Sequence, residues 1–366
     1  MDSWRLPDSD TKRAALAAQY GRDGYALLDA IYAPGAPGWL GELPAVDTLR
    51  QIWIQQYYRT IGAGGQVIAR RETDVHGLPP GRFLLISPYD LDARYSIKRG
   101  HGWAGYKVHF TESCDGGQDA AGCDLPNLIT NVATTEATVP DASMTEPIHQ
   151  QLQVKDLLPA RHLLDSGYPS APLLVCIRRD FGVQLVTPLL ADQSAQAKAG
   201  AGYDKTSFVI DFDTHQATCP QGAVNSTWHD SVQNGRPAIV VTFAASTCRP
   251  CPVRTDCTKA ATSRRHLTLQ PREIHEAQAT ARAEQTTQQW KNEYKTRAGV
   301  EGTMHQAVTA TGTRHARYLG IDKTRLEHNL AAAAINLIRL DAYLTGKPLD
   351  RGRTTHLARL DFTLAA

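Results

Sequence analysis

The chain lacks any apolar run approaching the roughly 18 residues that a membrane-spanning helix needs. Its best candidate, "NLAAAAINLIRL", is interrupted by Arg339 and reads as a buried helix. The opening "MDSWRLPDSD" has neither the basic stretch nor the apolar core of a signal peptide. A cytoplasmic protein that does not span a membrane is therefore expected, and the "NST" at Asn225 is an incidental match to a glycosylation site. No internal repeat is present. "GAGYDKT" at 200–206 lacks the Gly-Lys-Thr ending of a phosphate-binding loop, and "GAGG" at 62–65 fails the dinucleotide spacing. Charge of one sign is also lacking, at a net +2 over 366 residues. Its distribution is uneven, however: residues from Ser263 onward carry +6 and those before them −4. That asymmetry is compatible with a nucleic-acid partner on the C-terminal side, and equally with a solvated helical surface.

What is there suffices for a globular protein. With 42% hydrophobic residues the chain can fill a core, and its length allows two or three domains or one elaborated α/β domain. Residues 10–60 read as helical, with "PGAPG" as a turn inside them. From Gly81 the pieces "RFLLIS", "GYKVHFTES" and "NLITNVATT" read as strands. "DASMTEPIHQQLQ" reads as a helix with Asp141 or Ser143 as its cap. Strands alternating with helices predict a mixed or parallel α/β sheet. Short strands, turns and cysteines mark 191–262 as an insertion, and helical periodicity returns beyond Pro271.

Three stretches carry chemistry. In "HLLDSGY", Leu163 and Leu164 form a short buried run that Gly167 breaks. Asp165 then stands at the rim of a sheet, where side chains leave the core and meet ligands. In "YKTRAGVEGT", a helix would place Tyr294, Arg297 and Glu301 on one face: a ring hydroxyl, a phosphate-binding guanidinium and a potential metal ligand. Gly299 and Gly302 flank the acid, each costing about 1 kcal/mol inside a helix. Either they admit a close backbone approach, or the helix ends near Ala298 with Gly299 just past its end. Third, Cys219, Cys248, Cys251 and Cys257 supply four thiols inside the insertion, among Pro220, Pro250 and Pro252. Four soft ligands in turn-rich sequence suit a structural, tetrahedral Zn²⁺, with free thiols as the alternative. Cys114, Cys123 and Cys176 fit no such spacing.

The ordered motifs "SPYDLDARYS", "WAGYKVHFTESCD", "HLLDSGY", "CRPCPVRTDC" and "YKTRAGVEGT" resemble bacterial insertion-sequence transposases of the DDE type, in the group with a Tyr-x2-Arg-x3-Glu signature. The resemblance runs from about Trp4 to Leu360. It implies DNA transposition on a ribonuclease-H-like fold, in which acids at strand ends and on a later helix hold Mg²⁺ or Mn²⁺. Asp165 matches the second acid and Glu301 the third, with Tyr294 and Arg297 as DNA-contacting residues. The implied partners are the element's terminal repeats and target DNA, with a homodimer in the transposition complex, in a bacterial cytoplasm at the nucleoid.

Two departures stand out. The family's Lys, seven residues after the Glu, is Val308 here, and the first acid with its strand has no counterpart. Asp2-Ser3 echoes that motif only superficially, and Asp90 and Asp92 read as structural, with Arg94 or Lys98 as the partner of Asp92. The sequence thus predicts a mixed sheet lacking its first strand and a chain of impaired activity; the alternative is a non-catalytic DNA-binding remnant. Lys107 is either a surface lysine or faces the cleft, and His305 shares the face of Glu301. The expected segments are a helical region at 1–80, the first part of the core at 81–190, the insertion at 191–262, helices completing the core at 263–346 and a basic tail at 347–366.

Overall fold

The computed structural model describes residues 7–62, 65–98, 100–114, 125–260, 262 and 264–346. The expected tail at 347–366, Asp2, Ser3 and Cys123 lie outside them. The chain divides into two compact units, Met1–Val139 with Val300–Ala366, and Pro140–Gly299. No described helix is long and apolar enough to cross a membrane.

The first unit opens with α1 (Asp10–Ile31), capped by Ser9, whose side chain accepts from the Lys12 amide at 3.3 Å. It packs against α2 (Pro44–Gln56) through a glycine notch. A Cβ on Gly24 would stand 1.8 Å from Cε2 of Trp53, and the indole Nε1 donates to the Gly21 carbonyl at 3.2 Å. The expected helix to Thr60 stops at Gln56, because β1 (Tyr57–Gly62) turns back into β2 (Gly65–Arg70) as an antiparallel hairpin. The β-branched and aromatic residues of "YYRTI" favour that pairing once a partner strand is available. A short α3 (Thr73–His76) follows.

"RFLLIS" is not a strand: Gly81–Phe83 forms a 3₁₀ turn. The Gln55 amide clamps Leu85 beyond it, donating to its carbonyl at 2.8 Å and accepting from its N–H at 3.0 Å. Then β3 (Arg94–Lys98), β4 (His101–Glu112) and β5 (Ile129–Glu136) form an antiparallel sheet in that order. The first residues of β4 pair β3, and those from Tyr106 onward pair β5. Gly105, at the changeover, has φ +134°, a conformation other residues rarely adopt.

The second unit begins with a 3₁₀ turn at Asp141–Met144 leading into α4 (Thr145–Val154). Neither Asp141 nor Ser143 caps the α-helix; the Ser143 hydroxyl donates to the Pro140 carbonyl. The strand β6 (Arg161–Leu163), helix α5 (Ala171–Phe181) and parallel strand β7 (Gln184–Val186) form a βαβ unit. Leu164, Ile177, Val183 and Leu185 make its core. Next come α6 (Ala195–Ala199), the antiparallel pair β8 (Val209–Asp211) and β9 (Gln216–Thr218), and the hairpin of β10 (Thr227–Gln233) with β11 (Arg236–Thr242). Asn234 and Gly235, both at positive φ, make the two-residue turn between the last two strands.

The short helices α7 (Ala245–Cys248) and α8 (Arg254–Cys257) precede β12 (His266–Leu269), which pairs β11. The small sheet therefore closes beyond the expected boundary at residue 262. Its core is Phe208, Ala217, Val241, Phe243, Leu267 and Leu269. The helical periodicity beyond Pro271 resolves into two helices, α9 (Arg272–Thr286) and α10 (Gln288–Lys295), with Thr287 capping the second.

The chain ends its described part with α11 (Gly299–Gln306), a π-helical turn at Ala307–Thr311 and α12 (Ile321–Leu344). In the first unit α12 lies against β5, where Ile129, Ala307, Ala332 and Ile335 share a core with Phe110 and Val132. The four consecutive alanines from Ala331 keep that helix slim, and the Asn336 amide brackets both backbone groups of Ile129, at 2.8 and 2.9 Å. The described strands thus pair antiparallel throughout the first unit, and in the second as antiparallel sheets beside the parallel pair of β6 and β7, a mixed α/β protein.

Candidate active site and cysteine cavity

Asp165 leaves β6 as the sequence predicts. Leu164 is buried and its N–H donates to the Val186 carbonyl at 3.0 Å, extending the parallel pairing by one residue. Asp165 is exposed, and its Oδ1 accepts from the Ser166 amide at 2.6 Å. The Tyr168 amide then donates to the Asp165 carbonyl at 3.0 Å, closing the turn. A Cβ on Gly167 would stand 3.2 Å from Asp141 Oδ2, a tight contact to which that carboxylate would have to give way. Burial, with Asp141 and Asp165 nearby, pushes the Tyr168 phenol well above its ordinary value. The Thr145 hydroxyl donates to the Tyr168 carbonyl at 2.9 Å, fixing the start of α4 to this turn.

Behind the strand end lies a histidine pair, His149 and His162, that no sequence pattern singles out. His149 Nδ1 sits 2.6 Å from the Thr145 carbonyl, and its Nε2 lies 3.2 Å from His162 Nδ1. Burial and the neighbouring His149 push His162 down to about 3, and burial lowers His149 too.

Tyr294 comes to the same place. Its hydroxyl donates to the Leu164 carbonyl at 3.2 Å, immediately before Asp165. Its ring stacks on Trp290 at 4.7 Å, and the Arg297 guanidinium lies 5.5 Å from the Tyr294 ring centre. Adjacent Glu293 holds Arg161, at the start of β6, through two charge-assisted bonds. Two successive residues of α10 thus grip the two ends of β6. The stacked Trp290–Tyr294 pair was readable as an i,i+4 spacing; Arg161–Glu293, 132 residues apart, was not.

Glu301 is exposed on α11. The helix does not end at Ala298: Gly299 has φ −56° and ψ −39°, so the chain continues in helical conformation. Thr303 and Ala307, both fully buried, hold the opposite face and turn Glu301 outward with exposed His305. A Cβ on Gly302 would meet nothing within 4 Å among the described residues, so none of them requires that glycine. Val308 falls within the π-helical turn. Asp165 belongs to the unit Pro140–Gly299, and Glu301 to the unit containing Val300–Ala366.

Asp90 and Asp92 hold structure in the first unit. Asp90 is buried, and its Oδ1 accepts from the Ala93 amide at 3.1 Å and the Tyr106 hydroxyl at 2.5 Å. Asp92 pairs neither Arg94 nor Lys98; it accepts from the Ile321 amide at 2.9 Å, capping α12. Lys107 is half-buried and donates to the Val139 carbonyl at 2.8 Å.

Cys219, Cys248, Cys251 and Cys257 are half-buried free thiols that line one cavity of about 270 Å³, walled by Phe208 and Phe243. Cys219 sits in a tight turn, its amide donating to the Ala223 carbonyl at 2.8 Å. The Cys251 amide donates to the Cys248 carbonyl at 3.3 Å. Burial pushes the Cys257 thiol up, the other three cysteines add to the rise, and Arg265 opposes it. Among the described residues, no three or more His, Cys, Asp or Glu side chains are grouped so as to hold a metal ion. Cys176 belongs to the core of the βαβ unit, and Cys114 lies outside the cavity.

A carboxylate at a strand end, a tyrosine–arginine pair beside it and an outward-facing glutamate on a later helix are groups suited to binding phosphates and hard cations. Residues 218–341, about a third of the chain, match the family model described as "Transposase DDE domain". The match takes in the four cysteines, Tyr294, Arg297 and Glu301, and supports a DDE transposase. No curated protein and no solved structure gives a match.

Proposed function

We propose that this chain acts in DNA transposition, cleaving phosphodiester bonds and transferring strands at the ends of a bacterial insertion sequence. The observation that carries the reading is the Tyr294 hydroxyl on the Leu164 carbonyl, which brings the matched Tyr-Arg pair to the strand end bearing Asp165. Asp165 and Glu301 would hold Mg²⁺ or Mn²⁺, for which carboxylate oxygens are the right donors. Such an ion, when bound, stabilises charge on the oxygens of an in-line displacement at phosphorus. Arg297 would neutralise and orient a phosphate, and Tyr294 would hold the backbone geometry around Asp165. The reading includes a ribonuclease-H-like core, terminal repeats and target DNA as partners, a homodimer at work on the nucleoid in the cytoplasm, and a structural Zn²⁺ on Cys219, Cys248, Cys251 and Cys257.

The test is an assay with a duplex carrying the element's terminal repeats in Mg²⁺ or Mn²⁺. Nicked or joined products that disappear in Asp165→Ala and Glu301→Ala are expected; products unaffected by both substitutions would refute these roles. A second reading, a DNA-binding protein without catalysis, is favoured by the net charge of +6 on the residues from Ser263 onward. Repeat-specific binding that both alanine variants retain, with no strand products from any form, would select it.

A further inference from the structure

Helix α12 is apolar on two faces, and the core of the first unit takes one of them. Ala332 and Ile335 are buried in the core on β5, with Ala331 and Arg339 buried beside them. On the far side Leu326, Leu330, Leu337 and Leu344 are 60%, 62%, 67% and 78% exposed. With exposed Ala333 and half-buried Leu340 they follow one another at alternating steps of four and three residues. Such a run keeps to one stripe of a helix and has the spacing of a coiled-coil seam. The six stripe positions carry no charge. Glu327, beside the stripe, is already held by Arg317, whose amide donates to it at 3.0 Å. A helix apolar all round belongs in an interior, so the stripe requires a covering surface.

We propose that this stripe is the contact between two copies of the chain, packed as an antiparallel helix pair. The inference rests on the homodimer of the reading above, names its surface and needs none of its chemistry. The stripe is complementary to itself, as a two-fold contact requires. With the axis beside Ile335, Leu326 faces the partner's Leu344, Leu330 the partner's Leu340, and Ala333 the partner's Leu337. Each central layer thus sets a small residue against a large one. A parallel pairing would instead set Ala333 on the partner's Ala333 and leave a gap between leucine layers. It would also align the helix dipoles, which antiparallel packing opposes. The exposed leucines of two copies hide on the order of 1,000 Å² of apolar surface, and flanking side chains bring the total to about 1,200 Å², the lower end for a stable interface.

Sedimentation of the intact chain over a range of concentrations, without DNA, is expected to show a dimer in equilibrium with monomer. Leu337→Glu puts a carboxylate in both central layers and is expected to raise the dimer dissociation constant about 100-fold or more. Adding Ala333→Lys is expected to recover much of that loss, because antiparallel packing sets each lysine against a glutamate of the other copy. A parallel pair would set like charge on like, so failure to recover overturns the antiparallel register. If Leu337→Glu does not fold, Leu330→Gln decides: weakened association supports the contact, and wild-type association overturns it. A wild-type dimer that Leu337→Glu leaves intact refutes the stripe, while the homodimer stands. Wild type that is monomeric throughout refutes both. Dimers that appear only after removal of residues 347–366 assign the face to the chain's own tail, and refute the inference too. No arm reads strand cleavage, so the catalytic reading is judged separately.

Discussion

Arg339 donates from Nη2 to the Thr303 hydroxyl at 2.5 Å, joining α12 to the helix that carries Glu301. Its Nη1 reaches Glu112 at the end of β4 at 3.0 Å, and the Asn127 carbonyl at 2.7 Å. Thr303 itself donates to Glu112. Both charged side chains are buried. A buried pair of this kind is fixed in position by its hydrogen bonds more than it is strong.

Arg339→Ala leaves the Glu112 carboxylate buried without its cation, and a loss of about 3–5 kcal/mol is expected. Replacing both, as Arg339→Met with Glu112→Leu, costs less than the sum of the single changes. Urea denaturation of the four proteins in a double-mutant cycle measures the coupling, and additive losses would contradict it.

Tyr294→Phe removes the bond to the Leu164 carbonyl and keeps the stack on Trp290. With a hydrogen bond contributing about 0.5–1.5 kcal/mol, strand cleavage is expected to fall about two- to tenfold while duplex affinity stays unchanged. Gel-shift and cleavage assays on one preparation separate the two. An equal fall in both would place Tyr294 in general DNA binding instead.

The His149–His162 pair gives the second unit a pH dependence of definite sign. Both rings are held below the ordinary histidine value, His162 at about 3. The unfolded chain therefore binds more protons than the folded one between about pH 6.5 and pH 3. Stability is fully present above that window and falls as the pH drops through it. Thermal unfolding from pH 8 to pH 4 is expected to show a steeper decline for wild type than for His162→Gln. Parallel curves would remove the pair as the cause.

Gly24→Ala gains about 1 kcal/mol in helix propensity yet drives a methyl group into the Trp53 indole. Overpacking of this kind costs about 1–3 kcal/mol, so the net change is destabilising. Pairing it with Trp53→Leu, which vacates the notch, is expected to recover most of the loss in a thermal melt.

Asp165 was legible because three local cues agreed: an apolar pair, an acid and a glycine within seven residues. The four cysteines share one cavity, but among the described residues they are not grouped as the metal site that their spacing suggests. Gly299 was not legible. Local propensity favoured a helix end there, whereas Thr303 and Ala307 anchor the following turns on the core and carry the helix through. "YYRTI" and "RFLLIS" were misassigned for a related reason. One finds a strand partner across a turn and the other a side-chain amide 30 residues upstream, and neither partner leaves a mark on the segment's own periodicity. The Asp92 cap on α12 spans 229 residues and is beyond any pattern reading.

The double grip of α10 on β6 bears on how tightly the strand is indexed. A slip of β6 by one residue would swap inward and outward side chains, burying Asp165 and ejecting Leu164. Parallel pairing over three residues is a weak guard against that slip. Arg161 and the Leu164 carbonyl, seized by neighbouring residues of a separate helix, make any such shift break both grips at once.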